Sequence, residues 1–164
     1  MGRTYRTSIA SRRLAGYDYA GGGAYFLTLC VEGRRRRFGR LVGGRVELTA
    51  EGRIVAEEWR RVAKVRPGVI LDAFVVMPDH FHAIVILPPR GRAETGGAAS
   101  PGLGRPPRSL GSLVAMFKAT STRRIRGGVP GPRIWQRNYY DRIIRNAAAM
   151  AAIRAYIRAN PARG

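Results

Sequence analysis

Val75-Val76-Met77-Pro78-Asp79-His80-Phe81-His82-Ala83-Ile84-Val85-Ile86-Leu87 is an apolar run rich in β-branched residues, interrupted once by Pro-Asp and closed by Pro88-Pro89. Such a run reads as two strands with a short break between them. Successive side chains on a strand point to opposite faces, so His80 and His82 share one face and Phe81 takes the other. Two imidazoles about 7 Å apart at their base can converge on one ion or one phosphate. They are the only 2 histidines in the chain. Asp79, beside His80, either orients an imidazole through its second nitrogen or caps the turn.

Outward from this strand pair, the pattern predicts a β, β-hairpin, α, β, β, α, β, α order. Residues 1–23 form a basic arm (Arg3, Arg6, Arg12, Arg13) leading through Gly16-Tyr17-Asp18-Tyr19 to a glycine hinge. There the arginines can track phosphates while the tyrosines stack on bases. Ala24 to Val31 is a buried strand containing Cys30, the single cysteine, which rules out an internal disulfide. Arg34-Arg35-Arg36-Arg37 reads as a solvated loop, and Phe38–Leu48 as a hairpin around Gly43-Gly44. Thr49 caps a helix to about Lys64, with Ile54, Val55, Trp59 and Val62 facing a sheet. Residues 88–109 are a Gly/Pro-rich linker. Ser109 or Ser112 opens a second helix to about Arg126, and the latter half of Ile134–Arg145 is a strand. Asn146 caps an alanine-rich helix that runs to Asn160 and is stopped by Pro161. The fold class is α+β: one ferredoxin-like domain over 24–161, a central antiparallel sheet with helices mainly on one face. The histidine strand belongs near the centre of the sheet.

Charge narrows the function. The chain carries 30 Lys+Arg against 10 Asp+Glu, a net +20 at pH 7, nearly all of it arginine, whose planar fork suits phosphate. A field of this strength attracts polyanions, nucleic acid foremost. No apolar run is long enough to span a bilayer, and the basic N-terminus is not followed by the apolar segment of a secretory signal. A cytoplasmic, nucleoid-associated protein is expected. Glu57, Glu58 and Asp72 carry no pairing signal and read as ordinary surface or helix charges.

The last helix supplies the remaining chemistry. Met150, Ile153 and Ile157 make the stripe that packs on the sheet, and Tyr156 and Asn160 lie one turn apart on a common flank. A divalent ion held by two imidazoles and an amide oxygen keeps positions open for a phosphate oxygen. A phenol hydroxyl one helical turn from that amide can attack the phosphorus and form a phosphotyrosine. Tyr139 and Tyr140 are rival nucleophiles, with core packing and hairpin stacking as their other role.

Three blocks in this order, Met77-Pro78-Asp79-His80-Phe81-His82, Ile134 to Arg145, and Tyr156-Ile157-Arg158-Ala159-Asn160-Pro161, resemble the one-tyrosine HUH single-strand DNA transposases of bacterial insertion sequences. The likeness is nearest to the REP-associated tyrosine transposases and runs from about Gly16 to Pro161. It implies that His80 and His82 bind Mg²⁺ or Mn²⁺ with Asn160 as third ligand, and that Tyr156 is the nucleophile. The implied substrate is single-stranded DNA beside a palindromic hairpin, nicked to a 5′-phosphotyrosine and a free 3′-hydroxyl, then rejoined by the reverse step. Trp135, Gln136 and Arg137 are expected to contact DNA, with Arg142 and Arg145 as phosphate clamps and Lys118 on a basic helical face. Arg12 and Arg13 complete the set.

The chain departs from the family in carrying Asn146-Ala147-Ala148-Ala149-Met150 where relatives have acidic residues, and in stopping at Gly164. An alternative of another class follows: a DNA-hairpin-binding protein with the same fold and no turnover. A third is a metal-dependent phosphodiesterase in which water attacks. Either a monomer or a homodimer is compatible with the sequence.

Overall fold

A computed structural model describes residues 22–89 and 109–162. The basic arm with Arg12 and Arg13, and nearly all of the Gly/Pro-rich linker, lie outside the described residues. Strand β1 (Gly23–Cys30) is followed by the hairpin β2 (Gly39–Val42) and β3 (Arg45–Leu48). Then come α1 (Ala50–Val65), β4 (Ile70–Val76), β5 (His80–Leu87), α2 (Leu110–Ile125), β6 (Tyr140–Ile144) and α3 (Ala147–Ala159).

The expected order is borne out, and each helix starts where its cap stands. The side chains of Thr49, Ser109 and Asn146 accept hydrogen bonds from the backbone N–H groups of Gly52, Ser112 and Ala149. Such caps satisfy donors that the first helical turn leaves orphaned. Gly43 and Gly44 both take positive φ (55° and 73°), the backbone that a two-residue hairpin turn demands.

The main sheet has 4 strands in the order β4-β5-β1-β6, each antiparallel to its neighbours. With the β2–β3 hairpin set aside, this is the ferredoxin-like arrangement, and β5 sits inside it. Two apolar layers cover the two faces. On one, α1 and α2 bring Val55, Trp59, Leu113 and Phe117 against Tyr25, Leu27, Leu29, Phe81 and Val85. The Trp59 ring stands edge-on to Phe81 and Phe117, both at 5.1 Å, a favourable aromatic geometry. On the other, Ile153 and Ile157 of α3 close over Ile84 and Ile144. Helices α1 and α2 therefore share a face as expected, and α3 takes the opposite one. Ile54 of α1, expected to face the sheet, is only half-buried.

Three carboxylates read as ordinary charges are struts between elements, and that reading is corrected. Arg124 of α2 forks onto Glu57 (2.8 Å) and Glu58 (2.9 Å) of α1, and Glu58 is only 6% exposed. Asp72 of β4 takes both sides of the Arg154 guanidinium of α3, at 2.8 and 2.6 Å. The β4–β5 register slips between Leu71 and Phe74, and such a bulge re-aims side chains. Here it turns Asp72 towards α3.

Gly52 shows how tightly the hairpin packs on α1. A β-carbon there would fall on the Phe38 carbonyl, a backbone atom that already accepts the Thr49 N–H. Alanine is worth about 1 kcal/mol over glycine inside a free helix. Gly52→Ala is nonetheless expected to destabilise the protein by roughly 1–3 kcal/mol, as overpacking does. Urea denaturation of the two proteins checks the sign.

Candidate functional site

Alternation along β5 places His80 and His82 on the α3 face, while Phe81 is locked between Trp59 and Phe117 on the other. The two imidazoles meet with ring centroids 4.6 Å apart. Each has its Nδ1 engaged: His80 with the Asp79 carboxylate at 2.6 Å, His82 with the Thr28 hydroxyl at 2.8 Å. When Nδ1 carries the proton in each ring, both Nε2 atoms keep a lone pair, the arrangement that hydrogen-bond acceptors behind the ring impose on metal-binding histidines. The other Asp79 oxygen meets Arg34 Nε at 3.1 Å. Asp79 thus bonds to the imidazole as well as shaping the turn.

The tyrosine comes to the same place. The Tyr156 hydroxyl lies 3.5 Å from His82 Nε2, its ring centroid 5.4 Å from the imidazole. That distance is long for a hydrogen bond, but it brings the phenol oxygen to the edge of His82 that a ligand would approach. Phe26 stacks on His82 at 5.2 Å and meets the Tyr156 ring edge-on at 6.0 Å, bracing both. Tyr156 is 39% exposed, whereas His82 is 5% exposed. Asn160 lies one turn further along, 7% exposed, its backbone N–H donating to the Ile157 carbonyl. Among the described residues no three His, Cys, Asp or Glu side chains group to hold a metal; what the fold brings together here is two imidazoles and a phenol.

The other expected contacts divide. Arg142 faces the same side as His82, on the edge strand opposite Phe26, and is exposed. Arg145 follows Ile144, at the opposite end of the sheet from His80, so it is not beside the imidazoles. Trp135 does not offer a face for stacking: it is 4% exposed in the core, and its indole N–H donates to Ser121 Oγ at 3.0 Å. Lys118 turns its ammonium onto the carbonyls of Gln136 (2.8 Å) and Asn138 (3.0 Å). Gln136 donates its own backbone N–H to Cys30, and Arg137 is exposed. Of the rival tyrosines, Tyr139 is buried; Tyr140 pairs with Thr28 on the imidazole face. Burial, then Cys30, raise the Tyr140 phenol above its ordinary range. Thr28, Phe26 and the Asp72–Arg154 pair escaped the sequence reading. Only Thr28, a hydroxyl inside an apolar strand, left a local signal.

No family model matches this chain. An uncharacterized protein of Haemophilus influenzae is 33% identical over 183 residues, covering 98% of this chain and 94% of its own length. A solved structure of a REP-associated tyrosine transposase bound to a REP hairpin superposes with a TM-score of 0.66 at 23% identity, over 94% of this chain and 74% of that one. That likeness establishes the fold. Among the described residues no helix is long and apolar enough to cross a membrane.

Burial, then the neighbouring His80, hold the His82 imidazole down at about 4, against an ordinary 6.5. The unfolded chain therefore takes up this proton first as pH falls. The stability from burying a neutral ring is complete above about pH 6.5 and is lost progressively towards pH 4. At about 1.4 kcal/mol per unit the loss is on the order of 2–3 kcal/mol. Urea titrations at pH 7.5 and 4.5 are expected to show it, and His82→Gln to flatten that slope.

Proposed function

We propose that this chain, which shares one family with the Haemophilus influenzae protein and the fold of a REP-associated tyrosine transposase, cleaves and rejoins single-stranded DNA beside palindromic hairpins through a phosphotyrosine. The observation that carries this reading is the Tyr156 hydroxyl 3.5 Å from His82 Nε2, beside a second imidazole whose ring centroid is 4.6 Å away.

His80, His82 and the Asn160 side-chain oxygen would hold Mg²⁺ or Mn²⁺. Bound there, the ion would draw charge from the scissile phosphate and stabilise its crowded transition state. Asp79 and Thr28 keep the imidazoles oriented through Nδ1. The Tyr156 oxygen attacks the phosphorus, and its proton passes to solvent. An O–P bond forms to tyrosine as the bond from phosphorus to the 3′-oxygen breaks, and that oxygen is protonated to a free 3′-hydroxyl. The 5′-phosphotyrosine keeps the energy of the broken ester, so a 3′-hydroxyl attacking in reverse rejoins strands without a nucleotide cofactor. Arg142, exposed on the same face, meets the backbone phosphates, and the +20 charge gathers DNA from the nucleoid.

The reading is tested with end-labelled single-stranded DNA carrying a hairpin, incubated with Mn²⁺ and resolved on a denaturing protein gel. A covalent adduct is expected, absent in Tyr156→Phe. His80→Ala and His82→Ala should each lose it by about a hundredfold or more, judged by what ligand-shell changes cost, while retaining most of the salt-sensitive binding. Cleavage without adduct would replace tyrosine by water. Hairpin retention on a native gel with no cleavage in any buffer would leave a binding protein instead.

A further inference from the structure

A cavity of about 550 Å³ lies on the α2 layer, between the end of that helix and the chain that returns to β6. Gly128 lines it, next to Gly127. Their φ values of +61° and +84° reverse the chain, and their N–H groups bond back to the carbonyls of Arg124 and Arg123. These last helical carbonyls are thereby satisfied, as in the left-handed caps that end many helices, and do not crowd the cavity with negative dipoles.

Arg123, Arg126, Arg133 and Arg137 surround the opening, and no acidic residue lines it. None of the four is ion-paired with a described carboxylate, whereas the adjacent Arg124 is forked onto Glu57 and Glu58. Arg126 is held by its Nη2 on the Pro132 carbonyl, and its Nε is buried with no partner among the described residues. Val129 and Pro130 share the lining with these cations, and Val129 is 65% exposed. Cations and exposed hydrocarbon in one lining are what one nucleotide asks for: phosphate to arginine, base to hydrocarbon. The volume falls in the range of small-ligand sites.

The cavity lies on the opposite face of the sheet from the imidazoles, but near the same end of it. Trp135, on its lining, bridges to Val31, and Gln136 donates to the Cys30 carbonyl. Cys30 is the register partner of His80. The segment that walls the cavity thus runs along the end of the sheet where the candidate site opens.

The geometry points to a nucleotide-binding pocket here, taking one unpaired nucleotide of the strand whose scissile phosphate sits at His80, His82 and Tyr156. The phosphate meets Arg126 and Arg133, and the base lies on Val129 and Pro130. This assignment rests on the single-strand DNA reading above.

Fluorescence anisotropy of a labelled single-stranded oligonucleotide, and calorimetric titration with deoxyadenosine 5′-monophosphate, compare the natural chain with R126Q/R133Q. A control, R45Q/R53Q, removes the same charge from the hairpin and α1. R126Q/R133Q is expected to bind the oligonucleotide about tenfold or more weakly and to lose monophosphate binding. The slope of log affinity against log salt should fall by about 0.7, the value for one single-strand phosphate contact. The control should stay within about threefold. If the arginine pair behaves as the control does while the natural protein forms its Tyr156 adduct, the pocket is overturned and the catalytic reading stands. If the pair loses both ligands while no adduct ever forms, the pocket stands and the catalytic reading falls. Binding of neither ligand by the natural chain overturns both.

Discussion

Strand β5 has to satisfy two layers at once, and that constraint organises the molecule. Phe81, Ala83 and Val85 face α1 and α2, while His82 and Ile84 face α3, and every one of these five is at most 5% exposed. A one-residue slip in its pairing with β1 would send the imidazoles into the aromatic cluster and Phe81 to the open side. Burying an unpartnered imidazole costs as any unsatisfied polar group does, so the register is enforced by both faces together. The same register brings Thr28 opposite His82 and Cys30 opposite His80. The hydroxyl that steadies one imidazole is therefore a consequence of strand pairing.

Helix α3 is attached differently. Its apolar contact with the sheet is narrow, chiefly Ile153 and Ile157, and the Asp72–Arg154 fork supplies a directional tie. Arg154, first through its hydrogen bonds and then through its charge, holds the Asp72 carboxyl below its usual range, against the opposing effect of burial. Arg154 is two residues from Tyr156, so the fork fixes the rotation of the helix about its axis as well as its approach. A helix held by two isoleucines alone would be freer to roll, and its phenol would sweep past the imidazoles rather than stop beside them. The bulge at Asp72 does for α3 what a cap does for a helix end: it spends local regularity on one aimed side chain.

What the sequence shows and what it conceals divide along sequence separation. Caps, hairpin glycines and the alternation through His80-Phe81-His82 are local, and each follows from residues within a few positions of one another. The face that α3 takes, the struts from Asp72 to Arg154 and from Glu58 to Arg124, and the burial of Trp135 are products of chain folding. Nothing within ten residues of Asp72 announces a guanidinium 82 positions away. Trp135 misled for a similar reason. Beside Gln136 and Arg137 it looked exposed, yet its partner Ser121 sits on α2, supplying the one acceptor that a buried indole needs. Tyr156 and Asn160 were legible as a pair because four residues on a helix is a local relation. Their meeting with the histidines came from the resemblance, and only the fold brings the phenol to His82.

The charge acquires meaning once the acids are placed. Glu47, Glu51, Glu57, Glu58, Asp72 and Asp79 are each paired with an arginine inside the fold. These scarce carboxylates pin hairpin, helices and turn to one another, and only modestly when exposed. They do not neutralise the surface at large. Arginines without such a partner, Arg142 on the edge strand and the group around the α2 cavity among them, keep their full attraction for polyanions. A chain that spends its acids internally leaves its field to be completed by a partner. The arginines around the α2 cavity stand on the α2 face near the His80 end of the sheet, whereas Arg142, opposite Phe26, lies midway along β1 on the α3 face.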